Sequence, residues 1–73
     1  MSDEIKLLEV VALISDLPER GLRRGQVGTV VELLSTDAYE VEFADNQGRT
    51  YATTPLRANE IIVLHYEPVS AEP

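Results

Sequence analysis

The chain has no cysteine and no tryptophan, and its aromatic residues are three tyrosines and one phenylalanine. Without cysteine, neither a disulfide nor a thiolate metal site can support the fold. No apolar run approaches the ~18 residues that a membrane span needs. The N-terminal residues 1–6 are acidic on balance and lack the basic region of a signal peptide. We therefore expect a cytoplasmic protein that makes no membrane contact.

Basic residues are also scarce, since six Lys and Arg stand against thirteen Asp and Glu, for a net charge of -7. Nucleic-acid affinity comes mostly from Lys and Arg on phosphates, so this balance argues against nucleic-acid binding. The same negative field favours a basic protein partner and speeds its approach. Acidity also keeps a small protein soluble, and that explanation needs no partner at all.

The remaining composition is that of one small globular domain. The chain has 73 residues, of which 44% are hydrophobic, which is enough for a compact core. Residues 1–66 are expected to form the single domain, and residues 67–73, with two prolines and little to bury, a flexible C-terminal tail.

Alternation and turn residues predict a mainly β chain. Strands are expected at residues 10–14, 27–34, 39–43, 49–54 and 60–65, although helical spacing fits the first stretch as well. Tyr39, Val41 and Phe43 should face inward, while Glu40 and Glu42 face water. Residues 45–48 form a hairpin loop, Pro55 ends the fourth strand, and a single 3₁₀ turn follows it.

This layout predicts a small SH3-like five-stranded partly open barrel with one 3₁₀ turn. Within it, residues 27–34 carry apolar side chains on both faces, so this strand should be central or strongly coiled around the core, and Gly28 marks a bend, a bulge or a close backbone approach. The predicted core residues are Val11, Leu13, Val27, Val31, Val41, Phe43, Ile61 and Val63.

Residues 8–66 resemble a family of small bacterial proteins catalogued as a domain of unknown function. The matching pieces are LLEVVAL, DLPERGLRRGQVGTVVE, YEVEFADNQGRTYA and LHY, in that order. The resemblance implies an SH3-like fold and carries no established activity or catalytic residue. It also implies genes that sit beside toxin-like or nuclease-like neighbours, and hence an antitoxin or immunity role.

A second resemblance points to a different class of function. The run GQVGTVVELLSTDAYEVEF is similar to the KOW motif, whose domains bind RNA or proteins. Here Asp37, Glu40 and Glu42 stand where basic residues would serve RNA binding. A KOW-like nucleic-acid-binding domain is therefore the alternative to a protein-interaction module.

Candidate catalytic groups are few, and we expect no enzyme, no cofactor and no metal site. His65 is the one histidine, and a lone histidine cannot form a two-histidine metal site. Glu40 and Glu42 would lie ~7 Å apart on one strand face, as in an inverting glycosidase, but without a cleft to hold a sugar. Gly21, Gly25 and Gly28 lead into a strand, and a phosphate loop needs a helix there.

The strongest candidate for a binding site is the loop at residues 17–26, named here the arginine loop. Its Arg20, Arg23 and Arg24 reverse the sign of charge locally, and Arg is enriched at interface hot spots. Tyr51 and Tyr66 could line a groove beside it.

Two other interpretations of these arginines stay open at this point. The arginines could pair internally with Glu19, Asp16 or Glu42 and have no partner to bind. In that case the acidic strand face of Glu40 and Glu42 would be the binding surface. The sequence leaves the oligomeric state and the identity of the partner undetermined.

Overall fold

The computed structural model describes residues 4–68, and the predictions for residues 1–3 and 69–73 lie outside them. The described residues form five antiparallel strands in one open sheet, in the order β4-β3-β2-β1-β5. The elements are β1 (Val10–Leu13), a 3₁₀ turn η1 (Pro18–Arg20), β2 (Val27–Leu33), β3 (Ala38–Ala44), β4 (Thr50–Arg57), a 3₁₀ turn η2 (Ala58–Glu60) and β5 (Ile61–Val63). The expected mainly β, SH3-like architecture is confirmed, with a second 3₁₀ turn inside the long first connection.

The third strand folds as its alternation predicts. Tyr39, Val41 and Phe43 are buried, while the glutamates between them lie on the opposite face. The chain turns after this strand at Asp45, whose carboxylate accepts the backbone N–H groups of Gln47 and Arg49 at 2.9 and 3.0 Å. These hydrogen bonds, of which the one from Arg49 has the larger effect, hold the pKa of the Asp45 carboxyl below its ordinary value. The predicted hairpin loop is therefore confirmed.

At Gly28 the backbone of β2 approaches β3 closely. A Cβ atom at this position would lie 2.7 Å from Cγ1 of Val41, 2.9 Å from the carbonyl oxygen of Glu42 and 3.0 Å from the Phe43 ring. These separations are shorter than carbon and oxygen atoms tolerate without displacement. Of the three roles predicted for this glycine, close backbone approach is the one the structure has.

The prediction that Val27 and Val31 of β2 belong to the core is wrong. Val27 and Val31 are 46% and 38% exposed, whereas Val30 is fully buried. Directly opposed residues share a sheet face, and Val30 pairs with the buried Val41. The pairing then shifts between Val30 and Glu32, so one extra residue enters the strand and strict alternation fails.

The fourth strand runs through Pro55 instead of ending there, which corrects the predicted boundary. Because β4 is an edge of the sheet, a residue without an N–H group can be accommodated in it. The strand therefore continues to Arg57 and buries Leu56 on the way.

The core lies on one side of this bent sheet. Val63 packs against it only partly buried, whereas the other predicted members apart from the two valines of β2 are confirmed. The buried hydrophobic residues are Ile5, Val11, Leu13, Leu22, Val30, Tyr39, Val41, Phe43, Leu56 and Ile61. Leu22 is noteworthy among them, because it comes from the long first connection and not from a strand.

The close approach at Gly28 predicts a large effect from one methyl group. Gly28→Ala should lower the free energy of unfolding by about 1–3 kcal/mol, because the added carbon overlaps β3. Urea denaturation measures the change, with Thr29→Ala on the opposite face of the same strand as the control. A Gly28→Ala protein as stable as the control would show that β2 and β3 are not tightly packed here.

Candidate functional site

The arginine loop contains a small hairpin of its own. Leu17 and Leu22 exchange both backbone hydrogen bonds, with N···O distances of 2.9 and 3.1 Å. Between them lies η1, followed by Gly21 in the left-handed region at φ 69°. Glycine adopts this conformation without the steric cost that a side chain brings. The loop is thus a closed, hydrogen-bonded structure.

The hairpin is anchored in the hydrophobic core. Leu22 is 3% exposed and belongs to the core, and Leu17 packs against it. Both leucines therefore anchor the loop to the core. Pro18 is exposed and begins the 3₁₀ turn, where its fixed φ is suited to the first position.

The other half of the loop is a turn fastened to the end of β1. The backbone N–H of Arg23 donates to Oε1 of Gln26 at 2.6 Å, and that of Arg24 donates to Oδ1 of Asp16 at 2.8 Å. The N–H of Gly25 donates to the carbonyl of Leu13 at 2.8 Å. These bonds use the backbone of the arginines, and their side chains project from a fixed support.

The side chains of the three loop arginines do not pair with Glu19, Asp16 or Glu42. Within residues 4–68 the salt bridges are Arg49–Asp45 and Arg57–Asp37, both at 3.3 Å, and neither involves the arginine loop. Arg20 instead donates from Nη1 to the carbonyl of Pro55 at 3.4 Å. It therefore extends from the loop to the edge strand β4.

Tyr51 lies beside the arginine loop, and Tyr66 does not. The centroids of the Tyr51 and Phe43 rings are 6.3 Å apart, and the Tyr51 hydroxyl accepts a hydrogen bond from Nε2 of Gln26 at 3.3 Å. Tyr51 is still 48% exposed. Tyr66 follows β5 near the Val10 end of β1, whereas the loop is joined to the Leu13 end.

The structure thus brings together four of the five predicted binding residues, namely Arg20, Arg23, Arg24 and Tyr51. It adds Gln26, which links the Arg23 turn to Tyr51 through its two amide atoms. Sequence reasoning missed Gln26. Its position three residues after Arg23, within a turn, is the signal that could have indicated a side chain that closes the turn.

The acidic strand face is present on the other side of the sheet. Glu40 lies directly opposite Glu32 on β2, and Glu42 lies between Thr29 and Thr53. Glu40 and Glu42 were predicted to face water, but both are partly buried. Like charges placed directly opposite each other destabilise a sheet slightly, so the Glu32 and Glu40 carboxylates repel each other in the free protein.

In residues 4–68 no group of three His, Asp or Glu side chains is placed to hold a metal ion. The same residues contain no helix long and apolar enough to cross a bilayer.

Fold and loop together define a small SH3-like β domain that carries a rigid cationic loop on an acidic body. The chain belongs to the family described as Domain of unknown function (DUF4926), whose model matches residues 7–63. This confirms the resemblance to a family of that kind. Comparison with curated proteins and with solved structures gave no match.

If Leu22 anchors the loop, its truncation should destabilise the whole domain. Leu22→Ala should cost about 2–5 kcal/mol, the range for a buried leucine, because it leaves a cavity in the core. Thermal or urea unfolding measures it, with Leu34→Ala, at a position 45% exposed, as the control. Equal stability of the two variants would mean that the loop does not share the domain's core.

Proposed function

We propose that this protein is a non-enzymatic protein-interaction module whose partner-facing surface is the arginine loop with Tyr51. The observation that carries the proposal is the combination of a fixed backbone and unpaired charge. Arg23 and Arg24 are held by hydrogen bonds to their backbone, yet within residues 4–68 their guanidinium groups form no salt bridge.

Rigid support favours binding in energetic terms. A loop that is already ordered loses little conformational entropy when a partner docks. The planar guanidinium groups pair bidentately with carboxylates, and Tyr51 supplies an exposed aromatic surface next to them. This part of the surface is therefore suited to a carboxylate-bearing patch on another protein.

The partner as a whole is expected to be basic. The net charge of -7 attracts a basic protein over long range, while the arginine loop selects the orientation in which carboxylates on that protein meet it. An antitoxin- or immunity-type role, in which the partner is a toxin-like protein encoded nearby, is one biological form of this proposal.

The first test removes the charge from the loop. Arg23→Ala with Arg24→Ala should leave Tm nearly unchanged, since exposed charges contribute little to stability. It should abolish capture of the protein that co-purifies with the parent from its native host, as identified by mass spectrometry. Arg49→Ala with Arg57→Ala is the matched control, because it also removes two positive charges, but from positions outside the arginine loop.

The control separates the loop from the net charge. Loss of capture in both double variants would mean that overall charge, and not the loop, determines binding. A loop variant that unfolds more easily but keeps its partner would make the arginines structural and overturn the proposal.

The second test addresses the KOW-like alternative directly. The protein should bind a generic single-stranded RNA negligibly near physiological salt. The reason is the shortage of basic residues, six in the chain. Fluorescence anisotropy across a salt titration measures this binding. Tight binding with a steep salt dependence, lost in the Arg23 and Arg24 double variant, would identify the loop as a phosphate site instead.

A further inference from the structure

Leu8 has a backbone conformation that leucine rarely adopts. Its φ is 70°, and among residues 4–68 it is the non-glycine residue with a positive φ. It lies in a turn closed by the N–H of Glu9 donating to the carbonyl of Lys6 at 3.2 Å, and by the N–H of Lys6 donating to Oε1 of Glu9 at 3.0 Å. Glycine or asparagine is the usual residue at such a turn position.

Burial does not account for a leucine here. Its side chain is 69% exposed, so little apolar surface is removed from water to offset the backbone strain. The N–H of Leu8 donates to the carbonyl of Val30 at 2.7 Å, a bond that glycine would make equally well. A strained backbone that supports an exposed large apolar side chain is a feature that folding alone does not explain.

The side chain borders an open groove of about 610 Å³ at the Val10 end of β1, named here the Leu8 groove. Tyr66, 77% exposed, lies along the same groove. The lining residues are Leu8, Glu9, Val10, Leu64, His65, Tyr66, Glu67 and Pro68. The surface is largely apolar, with two carboxylates and no Lys or Arg in its lining.

That combination of surface and charge indicates one kind of occupant. We propose that the Leu8 groove binds an extended peptide segment of a protein partner, in which a large apolar side chain is flanked by Lys or Arg. The apolar side chain would pack between Leu8 and Tyr66, and the basic flanks would meet Glu9 and Glu67. This surface is at the opposite end of β1 from the arginine loop, and the inference does not depend on that loop.

The test uses a random-peptide display library selected on the immobilised parent protein, with the enriched peptides then synthesised. They should carry net positive charge and a large apolar residue. Leu8→Gly should weaken their binding about tenfold or more in fluorescence anisotropy, while Tm stays within about 4 °C of the parent or rises, because the strain is relieved. Leu8→Asn, which also tolerates a positive φ, should behave alike.

Two further variants check specificity. Leu7→Ala truncates an exposed leucine of the same turn that does not line the groove, and it should bind as the parent does. Glu67→Gln should weaken the basic peptides and reduce the salt dependence of their binding. Enriched peptides that bind Leu8→Gly as tightly as the parent, or that are acidic, or no enrichment at all, would overturn the proposal.

Other outcomes separate this surface from the arginine loop and from self-association. Peptides that bind Leu8→Gly but not the Arg23 and Arg24 double variant would eliminate the Leu8 groove and leave the loop proposal standing. The reverse pattern would support the groove alone. A parent that sediments as a dimer, with Leu8→Gly as a monomer, would identify a second copy as the occupant and also overturn the proposal.

Discussion

The absence of a side chain at Gly28 is the constraint on which the rest of the structure depends. It lets β2 approach β3 at Val41, at the Glu42 carbonyl and at the fully buried Phe43, from which a Cβ atom would lie only 2.7, 2.9 and 3.0 Å away. Phe43 in turn supports the Tyr51 ring, and the Tyr51 hydroxyl accepts a hydrogen bond from Gln26. Gln26 then holds the backbone of Arg23. A packing contact in the core is thereby connected to the arginine loop through three side chains, those of Phe43, Tyr51 and Gln26.

The strands that the sequence predicts best are those in which one face alone is apolar. In β3 apolar and acidic residues alternate, so periodicity identifies the buried face, and Phe43 is placed correctly. In β2 both faces carry valine or leucine, so the pattern gives no preference, and the shift in pairing after Val30 breaks the period. Pro55 shows a different limit, because its effect depends on whether the strand is an edge, which a single strand's sequence does not specify.

The candidate site was predictable to the extent that it depends on local spacing. Three arginines within one loop, with leucines on either side of a Pro and a Gly, indicate an anchored cationic hairpin. That Tyr51 belongs to it and Tyr66 does not depends on strand pairing, because β5 runs antiparallel to β1 and leaves it at the Val10 end, away from the loop. Residue types alone do not reveal this pairing. Leu8 was beyond sequence reasoning for a physical reason. Glycine or asparagine in a sequence indicates where a positive φ is expected, whereas a leucine gives no indication that its backbone adopts one.

The two proposed surfaces have opposite charge and lie at the two ends of β1. Four residues of extended strand span roughly 10 Å, close to the Debye length of ~8 Å at physiological ionic strength. At that salt concentration each surface therefore acts mainly on what touches it, and the arginines do not cancel the carboxylates of the Leu8 groove. At low salt the screening length grows, and the net charge of -7 governs the approach of any partner. A basic protein would then be attracted from all directions. Its orientation would still be selected at contact, because the cationic arginine loop and the acidic Leu8 groove carry opposite charges.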